Sequence, residues 1–203
     1  MLTHPRELFY KSVYRLARNS RALVRPFLSP EFRHRINLAL IRRANSNVGG
    51  EQVRHRSTEL GVNLYGYVHA ESGVGQSARA NIQSLTAGGV PISVVDVRMD
   101  NVSRMKGHVD EALKINPDFR INLFHINADQ LEIALRTLGL DVLEGCFNIG
   151  FWAWELPEFP DEWVSSSEFL DEIWTPSRFC QKAIQGKVNI PVRVVPHAVW
   201  LEH

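Results

Sequence analysis

Apolar residues fall into short dense runs from residue 62 onward. Residues 62–68 (VNLYGYV), 91–97 (PISVVDV), 121–126 (INLFHI) and 146–154 (CFNIGFWAW) are rich in β-branched and aromatic side chains. They predict buried strands, and residues 171–174 (DEIW) and 192–195 (VRVV) complete the set. Between the runs, apolar positions recur at helical spacing. Ala78, Ile82 and Leu85 mark a helix over residues 76–86, stopped by Gly88-Gly89. Asn127 opens a second helix reaching Leu138. Thr175-Pro176-Ser177 caps a third over residues 177–185. Residues 98–118 are polar and less regular, a long loop with a short helix near 110–113. Residues 155–163 (ELPEFPDEW) predict a proline-broken loop.

Strands alternating with helices predict an α/β fold built on a doubly wound, mostly parallel sheet. Ligands bind such sheets beyond the carboxyl ends of the strands. Those ends carry residues 69–75, Asp96, Asn127 to Asp129, Trp152 to Glu155, Thr175 to Ser177, and His197.

The first 56 residues differ in kind. Two amphipathic basic helices are predicted, over 5–19 and 29–44, and a glycine-containing linker follows. Residues 1–56 hold 12 Lys/Arg and 3 Asp/Glu, and residues 57–203 hold 11 Lys/Arg and 19 Asp/Glu. The small net charge thus hides a basic arm ahead of an acidic domain. The arm suits attachment to an anionic membrane surface, or packing as a solvated extension. No nucleic-acid motif accompanies it, so nucleic acid is not an expected partner. No apolar run approaches the roughly 18 residues of a spanning helix. Cys146 and Cys180 form no CxxC pair and no signal peptide precedes them, which predicts reduced thiols and a cytoplasmic protein. The expected domains are 1–56 and 57–200, with 201–203 a tag remnant or the start of a linker.

Three features carry candidate chemistry. Gly73-Val74-Gly75-Gln76-Ser77-Ala78 follows the first strand and fits G-x-G-x-x-(G/A), with Asp96 ending the second strand. Its glycines and helix start suit an anionic group. A dinucleotide is one such ligand. The several residues between strand and first glycine argue against it. Trp152, Trp154 and Trp163, with Pro157 and Pro160, predict an aromatic wall for sugar rings, or core packing. Glu155, just past a buried strand, is placed to accept a hydroxyl hydrogen bond or a proton. His69 and His197 stand at strand ends, whereas His125 lies inside a strand and predicts a hydrogen-bonded core histidine. No His/Cys/Asp cluster has metal-ligand spacing, so no metal or other cofactor is expected.

Three segments carry a resemblance to a known family. Gly73 to Arg79 (GVGQSAR) is similar to a G-x-G-(E/Q)-x-x-R loop and helix start. Phe151 to Pro157 (FWAWELP), with Phe159, Pro160 and Trp163, resembles a WAWEL-x-x-(F/L)-P-x-x-W segment. Asp171 to Phe179 (DEIWTPSRF), followed by Val192 to His197 (VRVVPH), resembles a (D/E)-x-(I/V)-W-x-P-S-x-F … V-x-x-(I/V)-P ending. Together they resemble the N-terminal, acceptor-side half of family-4 (group 1) bacterial glycosyltransferases, which have the GT-B fold of two Rossmann-like domains. The resemblance implies a retaining, metal-independent transfer of a sugar from a nucleotide-sugar donor to a glycan or lipid-linked acceptor, as in polysaccharide or lipopolysaccharide assembly at the inner face of the membrane. It places Gly73, Gly75 and Gln76 against donor phosphates or acceptor, and Trp152 to Glu155 nearest the reacting sugar. Many relatives carry a histidine where this chain has tryptophan. Glu155 is the candidate catalytic residue. Gly73, Gly75, Gln76, Ser77, Arg79, Asn127, Asp129, Trp152, Trp154, Ser177 and His197 are the candidate substrate-binding set. The second domain that normally holds the nucleotide is expected beyond Pro196, so little or no transfer activity is expected of residues 1–203 alone. A homodimer through the face that domain would cover is the corresponding expectation. The alternatives are a noncatalytic glycan- or protein-binding domain and a dinucleotide-binding oxidoreductase domain.

Overall fold

The computed structural model describes residues 59–97, 104, 106–109 and 117–199. The basic arm and the short helix expected near residue 110 lie outside them. Two compact units divide the chain, and the sheet and cleft belong to the one formed by Arg54–Leu138 and Leu143–His203.

Six parallel strands form one sheet. They are β1 (Val62–Gly66), β2 (Ile92–Asp96), β3 (Ile121–His125), β4 (Phe147–Phe151), β5 (Glu172–Thr175) and β6 (Val192–Val194). Their order across the sheet is β2-β1-β3-β4-β5-β6. The chain therefore winds one way from β1 to β2 and the other way from β3 to β6, as the doubly wound expectation requires. Helices α1 (Gly73–Ala87), α2 (Ala128–Leu138) and α3 (Arg178–Gln185) fill three of the crossovers. The right-handed crossover rule then puts α1 on one face and the later helices on the other. Both faces being covered explains why β1 is buried at all five positions. Leu64, Val94, Leu123 and Ile149 form the core with Ala78 and Ile82 of α1.

Several predicted boundaries move. β1 ends at Gly66 and β4 at Phe151, so Tyr67, Val68 and Trp152 are buried by loops above the sheet edge. Residues 155–163 are not all loop: a 3-10 helix runs Asp161–Phe169 and packs on α2, where the Ser166 hydroxyl donates to the Ala128 carbonyl at 2.6 Å. α1 begins three residues before the predicted start. Ser72 is its N-cap, and its hydroxyl accepts from the Gly75 N–H.

A polar row crosses the apolar sheet near its amino end. Asn63, Asn122 and Asn148 hold the second position of β1, β3 and β4 and are in register. Asn63 Nδ2 donates to Asn122 Oδ1 at 2.8 Å, and Asn122 Nδ2 donates to Asn148 Oδ1 at 2.9 Å. Asn63 also exchanges hydrogen bonds with both backbone groups of Phe119. Asn148 Nδ2 donates to the Cys146 carbonyl at 3.1 Å. A buried amide is tolerated where its groups are paired, and here each amide pairs with the next.

Among the described residues no helix is long and apolar enough to cross a membrane.

Candidate functional site

A cleft of about 590 Å³ opens at the carboxyl ends of β3 and β4, beside the first turn of α1. It lies at the reversal between β1 and β3, where doubly wound sheets bind ligands. The end of β3 contributes His125, and the end of β4 contributes Phe151. Asn127 follows β3, and Trp154, Glu155 and Leu156 follow β4. Gly73 and Ser77 come from α1. His197 comes from the segment after β6.

The loop from β1 to α1 is braced from within. The Arg79 guanidinium donates to the carbonyls of Val68 and Ala70, at 2.8 and 3.0 Å, and to Gln76 Oε1 at 2.9 Å. Glu71 N–H donates to the Arg104 carbonyl, and Gly107 N–H to the His69 carbonyl. The His69 ring donates back to the Gly107 carbonyl from Nδ1 at 2.8 Å. Arg79, Gln76 and His69 are thus spent on holding the loop, and none of them lines the cleft.

The two glycines have different work. A Cβ on Gly75 would collide with the carbonyl oxygens of Ala70 and Tyr67, so this glycine permits the chain's own close approach. Gly75 is not among the residues that line the cleft. A Cβ on Gly73 would meet nothing within 4 Å, and Gly73 opens on the cleft.

The aromatic segment also divides. Trp152 is buried, stacked on Phe159 at 5.7 Å, and belongs to the core rather than to the cleft. Among the described tryptophans, Trp154 alone lines the cleft. Phe159 and Trp163 meet it edge-on, at 5.9 and 5.0 Å. Its indole N–H donates to the Glu158 carbonyl at 2.8 Å, and its own carbonyl accepts from the Cys180 thiol at 2.9 Å. Two aromatic rings and two hydrogen bonds to the backbone thereby brace this indole segment. Glu155 is exposed beside it. Asn127 Oδ1 accepts from the Ala153 N–H at 3.0 Å and ties the start of this segment to the end of β3.

Two further expectations shift. Ser177 is the N-cap of α3, its hydroxyl accepting from the Cys180 N–H, and it does not line the cleft. Asp129 is exposed on the first turn of α2, also outside the lining. Burial, and then the Asp129 charge, push the Tyr67 hydroxyl up to about 12, so this tyrosine stays neutral.

His125 is the buried, hydrogen-bonded strand histidine that the sequence predicts, and it also forms part of the cleft wall. Its Nε2 lies 3.3 Å from Ser77 Oγ, which lies 2.6 Å from His197 Nδ1. Burial, then the neighbouring His197, lower its pKa to about 3. Its place at the last residue of a strand was the available signal for the wall. The cleft thus gathers Gly73, Ser77, Asn127, Trp154, Glu155 and His197 of the predicted set. It leaves out Gly75, Gln76, Arg79, Asp129, Trp152 and Ser177.

No protein-family model matches this chain, and no curated protein matches it.

Proposed function

We propose that this chain is the acceptor-side domain of a glycosyltransferase that moves a sugar from a nucleotide-sugar to a hydroxyl of a glycan or lipid-linked acceptor. One observation carries the reading: a single braced indole, Trp154, stands beside the carboxylate of Glu155 in a cleft at the sheet's switch point. An indole face matches the apolar C–H face of a sugar ring, and a carboxylate matches its hydroxyls. The WAWEL and DEIWTPSRF segments, which resemble family-4 transferases, bracket this wall. In this reading Glu155 accepts the hydroxyl hydrogen bond of the acceptor and orients it. Transfer proceeds with retention and without a bound metal, and a second domain holds most of the nucleotide. A lipid-linked acceptor would bring the basic residues 1–56 to an anionic membrane surface.

The test is saturation-transfer NMR with methyl glycosides, paired with a transfer assay using radiolabelled nucleotide-sugars and the chain joined to a donor-binding domain. Glycoside contacts on Trp154, lost in Trp154→Ala, support the reading. Transfer that survives Glu155→Gln unchanged would remove Glu155 from it. Binding without any transfer would favour the alternative, a glycan-binding module, which the same indole also suits.

The dinucleotide alternative is less well supported. β1 ends at Gly66, with six residues between it and Gly73, and Gly75 is turned toward its own loop. In the dinucleotide fingerprint the first glycine follows its strand directly, and the second lets backbone approach the pyrophosphate. Titration with NAD, with and without Asp96→Ala, separates this reading from the first.

A further inference from the structure

Three side chains from distant parts of the sequence meet at the cleft. Ser77 stands on α1, His125 ends β3, and His197 follows β6 at the far edge of the sheet. The Phe151 ring stacks on His125 at 4.4 Å and tilts against His197 at 5.7 Å. The segment after β6 therefore runs back across the carboxyl ends of β5 and β4 to reach α1.

The positions of the protons follow from chemistry. The Ser77 hydroxyl has one proton and cannot donate to both rings. His125 is buried and held neutral, so it carries one N–H. The 2.6 Å contact to His197 Nδ1 has the length of a strong O–H donor bond, and the 3.3 Å contact to His125 suits a longer N–H donor bond. This order leaves His125 Nδ1, which has no hydrogen-bond partner, as a bare lone pair rather than an orphan N–H. The chain of donors then runs from His125 Nε2–H to Ser77 Oγ, and from Ser77 O–H to His197 Nδ1. The proton of neutral His197 falls on Nε2, which carries no partner among the described residues.

We propose that Ser77 and His125 are positioning residues that hold His197 in one tautomer, so that its Nε2–H donates to a hydroxyl oxygen of a sugar bound in the cleft. The inference rests on the sugar-transfer reading for the identity of the ligand. The cleft supports a neutral polyol over an anion. Among the described residues, the titratable side chains that line it are His125, His197 and Glu155. An anion at His197 would share the space with the Glu155 carboxylate. A sugar instead meets one fixed donor at His197, one acceptor at Glu155 and one apolar face at Trp154.

The test has two arms. The first needs no ligand: nitrogen-15 histidine NMR of the whole chain at neutral pH. The expected result is His125 protonated on Nε2, neutral His197 protonated on Nε2, and a Ser77 hydroxyl proton shielded from exchange and correlated with His197 Nδ1. Ser77→Ala should abolish that proton and free the His197 ring to mix tautomers, while Ser77→Thr should restore it. The second arm measures binding of methyl glucosides, galactosides and mannosides by tryptophan fluorescence. The best binder should weaken about tenfold in Ser77→Ala, the value of one oriented hydrogen bond, and much less in Ser77→Thr. Neutral His197 protonated on Nδ1, or affinity unchanged in Ser77→Ala, overturns the proposal. An intact proton pattern with no glycoside bound rejects the sugar as ligand and, with it, the transfer reading.

Discussion

Trp154 stands edge-on to Trp163, ring centroids 5.0 Å apart and planes at 88°. Trp152, two residues earlier, is instead stacked flat on Phe159 and buried. The two neighbours therefore predict opposite phenotypes. Trp152→Ala should destabilise the protein by about 3–5 kcal/mol, the usual range for a buried aromatic. Trp154→Ala should forfeit edge contacts worth about 1–2 kcal/mol and abolish glycoside binding. Urea unfolding and glycoside titration on both variants check the contrast, and equal loss of stability in the two would refute it.

The two glycines of the helix start predict a similar split. Gly75→Ala places a methyl group against two carbonyl oxygens, so the loop or the first turn of α1 must shift. The expected result is a lowered melting temperature and altered amide shifts through residues 67–77. Gly73→Ala meets open space and should leave the melting temperature within a few degrees. Any effect of that variant should appear in ligand affinity.

His125 gives the fold a defined acid sensitivity. Unfolded, its ring protonates below about pH 6.5, whereas burial and His197 hold the folded ring neutral down to about 3. Across that window the unfolded chain binds one more proton, so stability is full above it and falls as pH falls. The unfolding equilibrium should shift by up to about tenfold per pH unit. His125→Leu should flatten this slope by one proton in urea titrations at about pH 7.5, 6 and 5. An unchanged slope would show that residue 125 is not its source.

The asparagine row should respond steeply to single changes. Asn122→Leu leaves an Asn63 N–H and Asn148 Oδ1 without their partner in a buried setting. The expected loss is about 2–4 kcal/mol, from two stranded polar groups. Changing Asn63, Asn122 and Asn148 together to leucine should cost less than the three single changes summed, because neighbouring pairs do not add. Chemical denaturation of the four variants tests both statements.

Much of this architecture is legible in the sequence, and the exceptions have physical reasons. The six strands appear as apolar runs because helices cover both faces of the sheet. The ends of β1 and β4 are misjudged because Tyr67, Val68 and Trp152 remain apolar under the loops after ladder pairing has stopped. The Asp161–Phe169 helix escapes notice because its serine run, Ser165 to Ser167, gives no amphipathic period. Its hydroxyls instead bond the neighbouring helix and its own turn. The asparagine row did leave a trace, in the repeated tripeptides VNL, INL and FNI of β1, β3 and β4. At the cleft, Glu155, Trp154 and His197 follow from their places at strand ends. The spending of Arg79 and Ser177 on backbone groups does not, because it depends on bonds that form only once loop and helix are folded.

His197 reaches Ser77 across 120 residues of sequence, by way of an edge strand added after the rest of the sheet. Contacts of such long separation are entropically the most expensive to close and form late. The mouth of the cleft should accordingly be among the last parts of this sheet domain to close. In refolding, the parallel sheet and its helices should assemble first, in a form that has the scaffold but an unfinished mouth. Recognition should follow as a separate, slower event, when the tail of the domain is laid over strands already in place.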